Sequence, residues 1–129
     1  MKSMNLLLIP ALSLCVACGT SVTPAKLYGK WNYTRIQSLN WNPDSTTTRE
    51  IEMQKPYVQF NENNSLVMVW GGDTILKGTF KPSGDKILVT QRLTGGKTRD
   101  FYFKIFKLAG NELIFDSTDR DPSRVYTRK

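Results

Sequence analysis

From Lys26 onward, short runs of β-branched, aromatic and aliphatic residues alternate with polar ones, and turn-forming clusters interrupt them about every ten residues. Successive side chains of a strand point to opposite faces, so a chain with this period buries its apolar half only by pairing strands into a sheet. The runs fall at 28–39, 46–53, 57–60, 65–70, 74–80, 86–92, 98–108, 112–116 and 123–128. Between them stand Asn61-Glu62-Asn63-Asn64, Gly71-Gly72-Asp73, Pro82-Ser83-Gly84-Asp85, Thr94-Gly95-Gly96-Lys97 and Ala109-Gly110-Asn111. A parallel crossover needs a dozen residues or more, so connections this short imply antiparallel hairpins. A longer connection, Asn40-Trp41-Asn42-Pro43-Asp44-Ser45, reads as a loop, and Pro56 ends the threonine-rich run that follows it.

The expected fold is therefore all-β, an antiparallel up-and-down barrel of eight or nine short strands. An open sheet of that size would leave two unpaired edges, and closure removes both. Alternation puts Phe101, Phe103 and Ile105 on one face of their strand, Ile87 and Val89 on theirs, and Val67 and Val69 on theirs. Phe60, Leu76, Phe80, Leu113 and Phe115 complete an aromatic and aliphatic interior, while Leu66, Met68, Trp70, Tyr102 and Phe106 give the other face apolar bulk as well.

The N-terminus has a different character. Met1-Lys2-Ser3-Met4-Asn5 is a short positive start, and the mostly apolar stretch 6–16 ends at small Ala17, the pattern of an export signal. That stretch is short of the roughly 20 apolar residues a membrane-spanning helix needs. Leu14-Cys15-Val16-Ala17-Cys18 resembles the lipobox of bacterial lipoproteins, with Cys15 where the family prefers an aliphatic residue. The resemblance implies cleavage before Cys18 and a diacylglycerol on its thiol, giving a signal peptide helix over 1–17, a lipidated tether over 18–26 and a barrel domain over 27–129. Gly19-Thr20-Ser21 carries neither an Asp like that of inner-membrane retention signals nor an acidic cluster like that of surface-export signals. The expected location is then the outer membrane, facing the periplasm. Two or more acyl chains hold a protein on a bilayer stably where one does so only marginally.

Composition narrows the chemistry. The chain has no histidine, and its two cysteines, Cys15 and Cys18, lie in or at the edge of the leader. A Ser-His-Asp or Cys-His pair, a disulfide in the barrel and a Cys/His zinc site are all excluded. Beyond the leader, 17 basic against 11 acidic residues leave a charge of +6, scattered singly rather than in runs. No nucleic-acid partner is implied, because that reading asks for a clustered basic face.

Gly29-Lys30-Trp31 resembles the Gly-x-Trp signature of the lipocalins. Tyr126-Thr127-Arg128 resembles the closing strand on which an arginine packs over that tryptophan. The likeness is to the small lipocalin-like domains of bacterial lipoproteins, and it implies that Gly29, Trp31, Tyr126 and Arg128 close the base of the barrel. At 103 residues from Leu27 to Lys129, the strands must be short and the lumen small.

Three further patterns have plain alternatives. Asp116, Asp119 and Asp121 bring carboxylates together, but a turn rich in Asp, Ser and Pro accounts for them without calcium. Glu50 and Glu52 share a face of the expected second strand, where solvent exposure is commoner than the cleft that acid-base catalysis requires. Asp44-Ser45-Thr46, Asp73-Thr74-Ile75 and Asp116-Ser117-Thr118 resemble a bacterial O-glycosylation acceptor, a pattern short enough to arise by chance.

These readings point to a non-enzymatic, lipid-anchored binding protein with no metal and no cofactor, holding a small hydrophobic or amphipathic ligand. The expected liners are Tyr33, Phe60, Val69, Leu76, Val89, Phe103 and Phe115, with Trp41 and Trp70 at a mouth or lid. The rival expectation is a filled barrel whose Trp41, Trp70 and Tyr57 anchor a protein partner of the envelope.

Overall fold

A computed structural model describes residues 22–40, 46–118 and 121–129. Eight strands close into one antiparallel up-and-down barrel: β1 (Gly29–Ser38), β2 (Tyr57–Phe60), β3 (Ser65–Trp70), β4 (Asp73–Ser83), β5 (Lys86–Arg92), β6 (Thr98–Ala109), β7 (Glu112–Ser117) and β8 (Ser123–Arg128). Each pairs with its sequence neighbour, and β8 returns to β1 through pairs from Asn32–Arg128 to Ser38–Ser123. A one-turn helix, α1 (Pro24–Leu27), precedes β1, and α2 (Thr48–Gln54) stands between β1 and β2.

The run at 46–53, expected as a strand, is therefore mostly helix, and the strand number settles at eight. The Thr47 side chain accepts a hydrogen bond from the Glu50 backbone N–H at 3.1 Å, which caps the helix N-terminus. Lys55 turns into the left-handed region (φ 49°, ψ 54°) and donates its N–H to the Ile51 carbonyl at 2.8 Å, which ends the helix before Pro56. Only Ile51 of this helix is buried.

The core fills the end of the barrel where β1 begins. Leu27, Trp31, Val58, Phe60, Leu66, Phe80, Ile87, Val89, Phe103, Leu113, Phe115 and Val125 form one buried cluster, with Val22 and Tyr28 packed against it. Burying each such side chain is worth about 1.5–3 kcal/mol. Phe60 and Phe80 meet edge to face at 4.8 Å, and the rings of Phe103 and Phe115 are tilted by 39° at 4.5 Å.

Trp31 closes this end. Its indole is fully buried, and Nε1–H donates to the Leu27 carbonyl at 2.7 Å, tying α1 across the base. The cation over the indole is Lys129, with Nζ 5.0 Å from the ring, rather than Arg128, which is exposed. Arg128 lies across from Asn32 and Glu112 on the outer face, so the alternation gives the inward place before it to Thr127, whose hydroxyl donates to the Leu113 carbonyl at 2.7 Å. Tyr126 also faces outward, and its hydroxyl donates to Gln37 Oε1 at 2.9 Å. Gly29 holds φ +128°, a conformation costly for any other residue.

Strand β3 runs one residue out of the expected register. Leu66 is buried in the core and Met68 packs against it, whereas Val67 is only half-buried. An irregularity follows in its pairing with β4, where Met68 faces Leu76 but Val69 faces Thr74. The extra residue, Ile75, lets β4 bend at the open end.

Replacement of Trp31 by Ala should cost about 3–5 kcal/mol in urea denaturation. Trp31→Phe keeps most of the burial and should cost less. Gly29→Ala should cost roughly 1 kcal/mol or more, through backbone strain and because the added Cβ would meet Lys129 Cε at 2.7 Å and push that side chain aside.

Candidate functional site

Above the core the lumen is open. One cavity of about 410 Å³ lies among Met68, Ile75, Leu76, Gln91, Arg99, Phe101, Phe103 and Ser117. A second, of about 290 Å³, adjoins it across Met68, Phe103 and Ser117, and is bounded by Tyr33, Ile36, Trp70, Phe115 and Val125. Volumes of about 300 Å³ and above suit small ligands when the lining is mostly apolar with a few placed polar groups.

Those polar groups have defined positions. Gln91 and Arg99 are cross-strand partners on β5 and β6, on the inward face above Val89 and Phe101. Arg99 donates from Nε and Nη2 to Gln91 Oε1 at 3.2 and 2.7 Å, and its guanidinium lies 4.8 Å over the Phe101 ring. A planar cation is thus held at the rim of an aromatic wall that continues inward through Phe101–Phe103 (5.6 Å), Phe103–Phe115 (4.5 Å) and Phe115–Tyr33 (6.4 Å).

Tyr33 supplies a phenol on the other side. Burial pushes its pKa well above the ordinary tyrosine value, so the phenol stays protonated even in alkaline solution.

The expected liners divide into three groups. Tyr33, Leu76, Phe103 and Phe115 border the open cavities. Phe60 and Val89 lie in the packed core below them. Val69 is on the outside, in a groove of about 890 Å³ between α2 and the barrel wall that it lines with Ile51, Tyr57 and Gly71. The register of β3 explains the last case. The same shift brings Met68, expected outside, into the cavity. Gln91 and Arg99 went unnoticed in the sequence; their alternation with Val89 and Phe101 is the signal that places them inward.

Other residues singled out from the sequence have simpler settings. Glu50 and Glu52 are on α2 and exposed, not on a strand face. Asp116 sits on β7 and accepts both Arg124 Nε (2.7 Å) and Nη2 (3.0 Å), a bidentate ion pair that raises the guanidinium pKa through that hydrogen bonding. Tyr57 is half-buried with Lys30 Nζ 4.2 Å over its ring, and Trp70 borders the smaller cavity. Ser117 also borders the cavities, and Thr74 is exposed at the start of β4. Cys15, Cys18, Trp41, Asp44, Ser45 and Asp119 lie outside the described residues.

The fold and site define a small closed β-barrel, packed at one end, with an apolar cavity at the other. No protein-family model, curated protein or solved structure matches the chain.

Tyr33 generates a titration prediction. Its folded pKa exceeds its unfolded one, so its contribution to stability is intact below about pH 10, the unfolded tyrosine value, and is lost as pH rises beyond it. In alkaline absorbance titration of this five-tyrosine chain, the last tyrosinate should form together with unfolding. Tyr33→Phe should remove that step.

Proposed function

We propose that the protein is a non-catalytic carrier or sensor that holds a small hydrophobic or amphipathic molecule in the open end of its barrel. The observation that carries this reading is the division of the lumen: aromatic packing fills one half, while Met68, Leu76, Phe101 and Phe103 leave an accessible apolar hollow in the other. A ligand's apolar body enters between those side chains, and its polar end meets Gln91 and Arg99 at the rim or the Tyr33 hydroxyl across from them. Lining of this kind, apolar with a few convergent polar groups, is the usual form of a small-molecule site. The hollow favours this reading over a filled barrel working only through its surface.

The lipoprotein and lipocalin likenesses of the sequence complete the proposal. Cys18 carries a diacylglycerol, the tether holds the barrel on the periplasmic face of the outer membrane, and the Gly29-Lys30-Trp31 base is the closed end of a lipocalin-like domain. The described chain begins at Val22 beside this closed end, where Leu27 of α1 is buried and Tyr28 meets Phe80 edge to face at 6.5 Å. An anchored barrel would therefore present its open end away from the bilayer.

A fluorescent fatty-acid probe should bind saturably. Leu76→Arg, which puts a charge into the hollow, should weaken binding by more than about tenfold while the thermal midpoint stays close to that of the parent. Absence of saturable binding by the parent would remove the proposal. For the anchor, intact mass of protein purified from host membranes should show diacylglycerol on a chain beginning at Cys18, and Cys18→Ala should release the protein from the membrane fraction. A chain cut near Ala17 without lipid would instead make it a plain secreted protein.

A further inference from the structure

The outer face of β5 and β6 carries a patch that folding does not explain. In one row across the wall Lys81 stands beside Leu88 and Leu88 beside Tyr102; in the next row Lys86 stands directly opposite Lys104. Like charges in that position destabilise a sheet. Leu88, Tyr102 and Phe106 are exposed by 38%, 43% and 57%, although each loses free energy by facing water. The cations and rings are interleaved: Lys86 Nζ lies 4.6 Å over Tyr102, and the Arg124 guanidinium 3.7 Å over Phe106.

The neighbouring acids do not neutralise the lysines. Among the described residues, Asp116, across from Lys104, is engaged by Arg124, and Glu112 pairs with Lys107 at 2.8 Å. Asp100 stands opposite Thr90, one row further toward the open end, and Asp85 lies in the exposed β4–β5 turn. Lys81, Lys86 and Lys104 make no ion pair among the described residues.

We propose that this wall is a docking surface for a bilayer rich in anionic phospholipid. Lysine is depleted at the cores of protein–protein interfaces, which weighs against a protein partner. Lysines beside exposed aromatic and aliphatic side chains are the composition that settles into a lipid headgroup layer, the cations on the phosphates and the rings at the acyl boundary. Position agrees with composition. The β4–β5 hairpin that starts the patch is at the closed end, where Phe80 meets Tyr28 and where the described chain begins at Val22. Docking there tilts the barrel onto its β5–β6 side and leaves the cavity mouth clear of the surface. The inference draws its direction from the N-terminal attachment proposed above and is independent of whether the cavity holds a ligand.

The experiment uses the full chain with Leu88→Trp, and separately with Ile75→Trp at the exposed open end, mixed with vesicles containing brominated acyl chains. The vesicles are phosphatidylcholine alone, or phosphatidylcholine and phosphatidylglycerol in equal parts. Co-sedimentation reports attachment, and quenching beyond that of the parent chain reports contact of the added indole with lipid. The expected result is attachment in both lipids, with quenching at position 88 only in anionic vesicles and none at position 75. Lys86→Glu with Lys104→Glu should weaken that quenching by more than about tenfold in lipid concentration, with co-sedimentation and near-ultraviolet dichroism unchanged. Equal quenching at position 88 in both lipids, quenching at position 75 instead, or indifference to charge reversal overturns the proposal. So does an absence of quenching while the same lysines bind an acidic protein, which would make the patch a protein interface. Loss of co-sedimentation in every arm would overturn it together with the N-terminal attachment, whereas loss of quenching alone leaves that attachment standing.

Discussion

The structure depends on the buried indole of Trp31. It is fully buried at the closed end of the barrel, and its one polar atom would be a liability there without a partner. The Leu27 carbonyl is that partner, so the segment before β1 is drawn across the opening as a floor. Lys129 reaches over the ring from the other terminus, so both ends of the described chain meet at one side chain. With the floor sealed, Phe60, Phe80, Phe103 and Phe115 pack against a fixed surface and the lower lumen becomes solid.

A sealed floor forces the remaining volume to the opposite end. The strands of this short domain are long enough to fill one half of the barrel with large side chains, and the other half ends in Met68, Leu76, Phe101 and Tyr33, which border a hollow. Burial extends the neutrality of the Tyr33 phenol into alkaline pH, and the Gln91–Arg99 pair holds its cation at the rim, 4.8 Å over Phe101. The site is thus greasy in the middle and polar at two points of its edge. Two structural features, the floor and the rim, give the barrel a direction.

Much of this was legible in the residues. Period-two runs with short polar turns lead to an antiparallel closed barrel, and the inward places of Ile87, Val89, Phe101 and Phe103 agree with alternation along β5 and β6. The failures have local causes. Thr46, Thr47 and Thr48 favour strands by propensity, yet Thr47 three residues before Glu50 is also a helix-capping pair, and that signal outweighs the β preference of its neighbours. In β3, Leu66-Val67-Met68-Val69 is apolar at every position, so its period carries no phase; only pairing with β4 decides which residues enter. The resemblance of Tyr126-Thr127-Arg128 to a lipocalin closing strand implies Arg128 over Trp31, while strand alternation turns Arg128 outward and leaves the place to Lys129. The rim pair was missed for a different reason: Gln91 and Arg99 are polar, and a search for lumen residues by hydrophobicity passes over them.

The split between β1 and β2 has its own consequence. Their pairing covers only Gly29–Phe60 to Asn32–Tyr57, after which β1 continues against β8 alone and α2 stands beside it. Beside that stretch of β1 stands a seven-residue helix, seated by Ile51 and held at its end by the Gly71 N–H on the Gln54 carbonyl at 2.8 Å. So short a helix has little stability of its own, and its departure would break no strand pair. The vessel therefore has a seam, closed there by side-chain packing and a backbone hydrogen bond while the staves on either side are laddered together.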